Sequence, residues 1–268
     1  MQSPTDEQRC SVRKRPNGSA LMYQSWTDLL FLHWRIDPAI IQNLLPAGLF
    51  VDCFQRDAYI GVVPFFMKNI RFRGTPSVPW ISNFLELNLR TYVHGESGRP
   101  GVWFLSLDCN QPLAVWVART LFHLPYQHAS MQATFQNGSL IDYRSKRLSK
   151  GKVHEESRFA YAYKSDVYYA QPGTLEFFLA ERYLLFSVNR RQQISSGQVH
   201  HSPYPLREVD EPCFQTDLFE LNGLPKMHPP FDHAMGSRGV DVEVFSLVKT
   251  RIGPQNSKVQ RPNSSTTQ

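Results

Sequence analysis

The sequence lacks an apolar run long enough to cross a membrane and lacks paired cysteine motifs. Its longest apolar stretch is YIGVVPFFM, residues 59–67, about half of the ~18 residues that a transmembrane helix requires. The first twenty residues carry charges but no apolar core, so they do not resemble a secretory signal. The cysteines are scattered, at Cys10, Cys53, Cys109 and Cys213. We therefore expect a cytoplasmic protein with reduced thiols and no membrane partner.

Motifs for nucleotides, metals and acyl transfer are also absent from the sequence. It contains no GxGxxG, no lysine-containing phosphate loop, no HExxH and no GxSxG. His200 and His201 are adjacent, and adjacent strand residues point to opposite faces, so the two cannot converge on one metal ion. Asp108 and Ser106 could join a histidine in a catalytic triad, but no spacing fixes that geometry. We expect neither a metal nor an organic cofactor.

The positive charge of the chain is concentrated at its two ends. The formal net charge is +6, of which residues 1–20 contribute +2 and residues 249–268 contribute +4. Both ends are polar, so we predict two disordered basic tails that flank one neutral domain, residues 21–248. Basic tails attract phosphate without reading sequence, and sequence-specific nucleic-acid binding is not expected. A homo-oligomer is compatible with this composition.

Alternation of apolar and polar residues predicts a mainly antiparallel β protein. The dipeptide Asn137-Gly138 is typical of a tight hairpin turn between two of the strands. The predicted strands are residues 28–36, 49–54, 58–73, 83–93, 101–108, 130–136, 139–147, 157–163, 182–188 and 239–247.

Three short helices are predicted between the strands. Asp37 is placed to cap the first, residues 37–45, and Thr174 to start the third, within residues 173–182. In the second, residues 111–123, we expect a stripe that includes Leu113 and Leu121 to face the core. Many antiparallel strands with few helices indicate an α+β fold with a closed or nearly closed sheet.

One strand carries a continuous row of polar side chains. In NFLELNLRTYV, residues 83–93, the leucines share one face, while Glu86, Asn88, Arg90 and Tyr92 share the other; we name these four the polar row. Glu86 and Arg90 lie roughly 13 Å apart along a strand, so they cannot pair with each other. The pattern fits either a solvated face or the lining of a cavity.

The chain resembles the YqjF-like family of uncharacterised bacterial proteins over about Trp26 to Phe245. The resemblance is carried by LLPAGLFVD, VVPFFMKNIRFRG, LELNLRTYV, GVWFLSLD, LPYQHA and GTLEFFLAERYLLF. That family looks like a divergent branch of the acetoacetate decarboxylase superfamily. The resemblance implies a cone-shaped β-barrel with a few peripheral helices, in which the glutamate at the place of Glu86 faces the interior.

The same resemblance bears on the reaction. In the decarboxylases a helix with an arginine ends at a proline followed by two lysines, and the first lysine forms a Schiff base with the substrate. These positions correspond to Arg119, Pro125, Tyr126 and Gln127 in this chain, and neither of the last two carries an amine. Lys68, in a predicted strand, is the best placed substitute lysine.

Two functions follow from these observations, and fold alone does not choose between them. One is a protein that binds a small anionic organic molecule in the barrel. The other is an enzyme without a Schiff base, a decarboxylase-like lyase or a general acid–base catalyst acting on a small organic acid through Glu86. Tyr126 is a further catalytic candidate because it stands at the lysine position. The candidate ligand-binding residues are Asn88, Arg90, Arg119, Arg71 and Glu181.

Overall fold

The structure is a computed structural model that describes residues 3–137, 139–149 and 154–250, with 50% of the chain in strands and 15% in helices. The strands are β1 (Met22–Ile36), β2 (Leu49–Val51), β3 (Ala58–Phe72), β4 (Phe84–Gly95), β5 (Pro100–Cys109), β6 (Tyr126–Gln136), β7 (Leu140–Arg147), β8 (Ser157–Tyr163), β9 (Leu184–Val188), β10 (Ile194–His201), β11 (Leu206–Arg207), β12 (Val209–Gln215), β13 (His233–Val244) and β14 (Val248–Lys249). The helices are α1 (Asp6–Ser11), α2 (Pro38–Leu44), α3 (Pro79–Ser82), α4 (Pro112–Leu121), α5 (Leu175–Ala180) and α6 (Leu218–Leu221).

Seven strands form a closed ring. Their order is β5, β9, β10, β13, β1, β3 and β4, and the pairing of β4 with β5 closes the circuit. All of these pairs are antiparallel except β5 with β9, which is parallel. The nearly closed antiparallel sheet expected from the sequence is therefore confirmed as a near-barrel ring.

Four further strands extend the sheet away from β5 and fold over the outside of the ring, while β2 pairs with β4. β6 pairs with β5 in parallel, and β7, β8 and β12 follow in antiparallel order. Tyr143 on β7 donates to the backbone carbonyl of Glu86 at 2.8 Å, which places β7 directly against β4. The leucines Leu85, Leu87 and Leu89 of β4 pack in the apolar layer between ring and extension.

The opposite face of β4 is also buried, because it points into the ring. Glu86, Asn88 and Arg90 are 3%, 4% and 8% exposed, and Tyr92 is fully buried. The interior that they enter is lined by apolar and aromatic side chains of β1, β3 and β13, among them Phe31, Phe65 and Met235. The polar row therefore does not face bulk water.

Residues 3–20 differ from the disordered tail that their composition predicted. A capping box at Thr5 starts α1, and Arg9 forms a two-pronged ion pair with the buried Asp52 at 2.5 and 2.7 Å. Val12 is buried, and Arg15 bonds Glu243 on β13 at 2.6 Å. The segment, which we name the N-terminal strap, docks because a few long-range contacts outweigh its polar composition. The predicted C-terminal tail, residues 249–268, also begins in ordered structure, because Lys249 in β14 pairs with Ser195 of β10, and residues 251–268 lie outside the described residues.

The three predicted helices are present, with one difference in orientation. Asp37 caps α2 through the N–H of Ala39 at 2.8 Å, and Thr174 caps α5. In α4, however, Leu113 and Leu121 are exposed, and the helix packs through Val115. The predicted turn at residues 137–138 is described only for the first of them, which has a φ of 50°; residue 138 lies outside the described residues. No helix within the described ranges is long and apolar enough to span a membrane.

Candidate functional site

Glu86 and Tyr126 form a buried hydrogen-bonded pair inside the ring. Glu86 is the third residue of β4, and Tyr126 is the first residue of β6, which runs parallel to β5 with Tyr126 beside Leu107. This pairing brings the Tyr126 hydroxyl to 2.6 Å from Oε2 of Glu86, where it donates a hydrogen bond. The sequence predicted both residues, but only the fold brings them together.

The surroundings of this pair change its protonation. Burial raises the pKa of Glu86 from its ordinary value of 4.5 to about 7, although hydrogen bonds from Tyr126 and Asn88 oppose the rise. Burial also holds the pKa of Tyr126 well above its ordinary value, with the nearby Glu86 adding to the effect. Glu86 is thus able to take up or release a proton near neutral pH, while Tyr126 stays a donor.

Cys109 lies across from Glu86 on the neighbouring strand β5. Burial raises the pKa of its thiol to about 12, so the group is a thiol and not a thiolate near neutral pH. Nucleophilic catalysis by cysteine depends on the thiolate, and Cys109 therefore serves as an apolar wall of the site.

Arg90 brings a positive charge into the interior, where no carboxylate of the described residues pairs with it. One of its terminal nitrogens donates to the carbonyl of Leu179 at 3.2 Å, and its Cζ lies 5.4 Å from the ring centre of Phe31. Its Nε is buried without a hydrogen-bond partner among the described residues, and the same is true of Oδ1 of Asn88. Buried polar atoms are normally satisfied, so these two atoms are exceptions on the polar row.

Tyr92 fixes the end of the polar row against α5. Its hydroxyl donates to the carbonyl of Leu179 at 2.9 Å and lies 2.7 Å from Nε2 of His33. A side chain at Gly61 would bring its Cβ to 2.9 Å from the His33 ring, so this close approach requires glycine. Leu179 accepts hydrogen bonds from both Arg90 and Tyr92, which ties the helix to the row.

Two of the sequence-predicted arginines lie outside the ring. Arg119 is exposed on α4, where its Nε donates to the carbonyl of Tyr126 at 2.6 Å, so it supports the backbone of that residue. Arg71 is exposed near the end of β3, with its guanidinium 5.0 Å from the ring centre of Tyr23. The structure does not bring Arg71 to the polar row.

Glu181 and Lys68 also occupy positions that the sequence did not determine. Glu181 is buried, accepts a hydrogen bond from the Tyr183 hydroxyl and accepts the backbone N–H of Tyr204 at 3.0 Å. These contacts place it beside the interior but satisfy its oxygens locally. The Lys68 amine lies 4.0 Å from Asp28, and its side chain is 44% exposed, away from Glu86.

Three aromatic residues of the interior were not predicted as site residues. His201 contacts both Trp26 and Tyr204, with ring centres 6.0 Å apart for Trp26 and His201 and 4.7 Å apart for His201 and Tyr204. The polar segment ISSGQVHH of β10 showed no alternating strand pattern in the sequence. The sequence therefore did not predict which face of the sheet His201 occupies. Pairing with β13, opposite Val242, decides that His201 points inward.

A groove of about 450 Å³ opens elsewhere, beside β12 and α6, and its lining includes His154, Asp217, Glu220 and Lys226. It does not contact the polar row. Glu220 and Lys226 are exposed, so water satisfies their charges, whereas the charges of the polar row are buried. We therefore place the candidate site inside the ring.

Comparison with known proteins gives the family and the fold. The sequence profile of DUF2071, described as an uncharacterised conserved protein, matches residues 23–241. The chain belongs to the DUF2071 family. It is 38% identical over 223 residues to the uncharacterised protein YqjF of Bacillus subtilis (strain 168), which covers 82% of this chain and 89% of the relative. The resemblance read from the sequence is therefore confirmed.

Solved structures with the same fold include two enzymes. Acetoacetate decarboxylase of Legionella pneumophila superposes with a TM-score of 0.63 and 11% identity, covering 89% of this chain and 91% of its own. The enduracididine biosynthesis enzyme MppR was solved with the condensation product of pyruvate and imidazole 4-carboxaldehyde. It superposes with a TM-score of 0.59 and 14% identity, covering 87% and 90%. At these identities the likeness establishes an acetoacetate decarboxylase-like fold and not a shared activity.

Proposed function

We propose that this protein binds a small anionic organic molecule inside the ring, between Arg90 and Glu86. The observation that carries the proposal is the pair of unpartnered buried atoms on the polar row, Nε of Arg90 and Oδ1 of Asn88. They belong to residues two apart on one strand face, about 7 Å along the strand. One molecule with an acidic group and a donor would satisfy both.

The charge balance of the interior favours an anion. Arg90 has no carboxylate partner within 4 Å among the described residues. Near Tyr92, Asp52 pairs with both Arg9 and Arg182, and Arg9 also lies 3.9 Å from the half-exposed Asp6. A buried charge is costly unless it is paired, so a negatively charged ligand lowers the free energy of this arrangement.

The pKa of Glu86 favours an enzyme as the second candidate function. A carboxyl group whose pKa lies at about 7 is suited to remove a proton from a bound acid or return one to it. Tyr126 would keep Glu86 oriented through their 2.6 Å hydrogen bond. The substrate would then be a small organic acid held by Arg90, with proton transfer at a carbon next to its carboxylate or carbonyl.

We infer that any such reaction proceeds without a Schiff base. Tyr126 and Gln127 stand where the decarboxylases carry two lysines, and neither has an amine. Every lysine among the described residues is exposed except Lys68, which is half-buried beside Asp28. Borohydride reduction in the presence of acetoacetate is therefore expected to add no stoichiometric mass. Trapping that maps to Lys68 would contradict this inference.

Thermal-shift screening with small carboxylic acids tests the binding proposal. A ligand at 100 times its Kd stabilises the folded state by about 2.7 kcal/mol, which raises the midpoint by roughly 5–10 °C for a domain of this size. Arg90→Met should abolish the shift because it keeps the aliphatic packing but removes the charge. Arg71→Met, an exposed arginine on the neighbouring strand, is the matched control and should retain it. Absence of any acid-induced shift in the unmodified protein would refute the proposal.

Glu86→Gln separates binding from catalysis. The substitution keeps the shape and a hydrogen-bond acceptor for Tyr126 but cannot exchange a proton. Ligand binding should survive it in either case, whereas turnover of a bound acid should be lost if Glu86 is the catalytic group. Turnover that persists at the original rate would exclude Glu86 from the reaction.

A further inference from the structure

His201 is enclosed by aromatic side chains at the inner wall of the ring. It is the last residue of β10 and is 4% exposed. The ring of Tyr183 stacks on it with centres 4.5 Å apart and planes 20° apart, and Tyr204 and Trp26 pack at 4.7 and 6.0 Å. The imidazole is therefore held in one orientation.

The hydrogen bonds of His201 determine which nitrogen carries its proton. Nδ1 lies 2.7 Å from the carbonyl oxygen of Ser202, and a carbonyl only accepts, so Nδ1 carries the hydrogen. Burial lowers the pKa of the ring to about 4, although the Ser202 contact opposes the change, and the imidazole is neutral near neutral pH. Nε2 is then a lone-pair acceptor, and it is buried without a partner among the described residues.

Aromatic contacts connect His201 to the surroundings of Arg90 and of Glu86. Tyr204, which contacts His201, has its ring centre 5.5 Å from that of Phe31, and Cζ of Arg90 lies 5.4 Å from the Phe31 ring centre. Trp26, which also contacts His201, has its ring centre 6.0 Å from that of Phe65, and Phe65 lies directly opposite Glu86 on the neighbouring strand. The polar row and Nε2 of His201 thus border the same cluster of buried aromatic side chains.

A metal ion is not the partner that this acceptor favours. Zinc and related ions require three or more protein ligands at one point. Across residues 3–137, 139–149 and 154–250, no group of three His, Cys, Asp or Glu side chains could hold a metal ion. A donor on an organic ligand satisfies the acceptor with a single hydrogen bond.

We propose that the anion held by Arg90 is a flat, ring-bearing carboxylic acid with a hydroxyl or N–H group, and that Nε2 of His201 accepts a hydrogen bond from that group. This inference rests on the proposed function and adds the substrate class. Aromatic walls favour a flat ring through stacked and edge-on contacts. A buried acceptor rejects an analogue that cannot donate to it, so His201 is a specificity-determining residue.

The test compares two acids that differ by one hydroxyl group, 4-hydroxyphenylacetate and phenylacetate. The unmodified protein should bind the hydroxy acid more tightly by about tenfold or more, measured by calorimetry. His201→Phe keeps the aromatic packing and removes the acceptor, so it should abolish the preference. His200→Phe is the matched control, because His200 is adjacent but points to the other face of β10. It should keep the preference.

A spectroscopic measurement on the unmodified protein covers the case in which His201→Phe does not fold. With ¹⁵N-labelled histidine, the Nε2 resonance of His201 should move upfield when the hydroxy acid binds and stay in place with phenylacetate. Equal binding of the two acids, or an unmoved resonance, would overturn the proposal. Binding of neither ring acid by a protein that binds other carboxylates would overturn the ring-bearing class alone. Binding of no carboxylate would instead reject the proposed function.

Discussion

Glu86→Gln is expected to stabilise the protein at alkaline pH and to leave its stability unchanged at acid pH. Burial raises the pKa of Glu86 from 4.5 to about 7, so the folded state holds a proton that the unfolded chain releases. The contribution of Glu86 to stability is therefore complete below pH 4.5 and is lost as the pH rises through 7. Glutamine is neutral throughout and escapes this loss.

The expected magnitude follows from the change in pKa. One pKa unit corresponds to 1.36 kcal/mol, so a rise from 4.5 to about 7 amounts to about 3 kcal/mol of lost stability by pH 8. For a domain of this size, about 3 kcal/mol shifts the thermal midpoint by roughly 6–12 °C. Because Glu86 is fully enclosed, solvent screening does not reduce this figure substantially.

The assay is denaturant unfolding of both proteins at pH 5, 6, 7 and 8. The difference in unfolding free energy between Glu86→Gln and the unmodified protein should grow by about 2.5 kcal/mol across this range, since the titrations of all other groups cancel. Glu220→Gln, an exposed glutamate, should give a flat difference. Parallel stability curves for the Glu86 pair would refute the inference that this carboxyl group is buried and poised.

Two further substitutions test other parts of the structure. Arg9→Ala removes the two-pronged partner of the buried Asp52 and should lower the unfolding free energy by about 3 kcal/mol in calorimetry. Its control, Arg15→Ala, breaks an exposed ion pair and should leave the thermal midpoint close to that of the unmodified protein. Equal effects of the two substitutions would show that the strap does not dock. Tyr126→Phe removes a donor that stabilises the Glu86 carboxylate, so the Glu86 pKa should rise further, and an unmoved titration by ¹³C NMR would show that this hydrogen bond is not formed in solution.

The alternation of β4 was readable from the sequence, but alternation alone did not decide what covers its polar face, and only the family resemblance pointed to an interior Glu86. A polar row opposite leucines is typical of a strand with one solvated face. Here the leucines pack under the extension that carries Tyr143, and the polar face closes against β1 and β13. Alternation in a sequence indicates only that the two faces of a strand differ in polarity. What covers each face depends on strands more than a hundred residues away, such as His233–Val244.

The strap and β10 show a different reason for missed structure. α1 has six residues and is too short to be stable alone, so its formation depends on the ion pair between Arg9 and Asp52. Nothing in the sequence near Arg9 or Asp52 indicates that the two residues form an ion pair. β10 is built largely of Ser, Gly, Gln and His, and its pairing with β9 and β13 outweighs its weak strand propensity. The orientation of His201 was hidden for the same reason.

The closed ring also constrains how the chain folds. β1 must pair with β13, and the paired residues lie about 200 positions apart, so this contact carries a high loop-closure cost and slows folding. During synthesis β1 leaves the ribosome early, acquires β3 on one side and keeps its other edge open until almost the whole chain has emerged. An open strand edge can pair with other chains. Any fragment that ends before His233 would retain that open edge, so aggregation is the expected fate of C-terminally shortened chains.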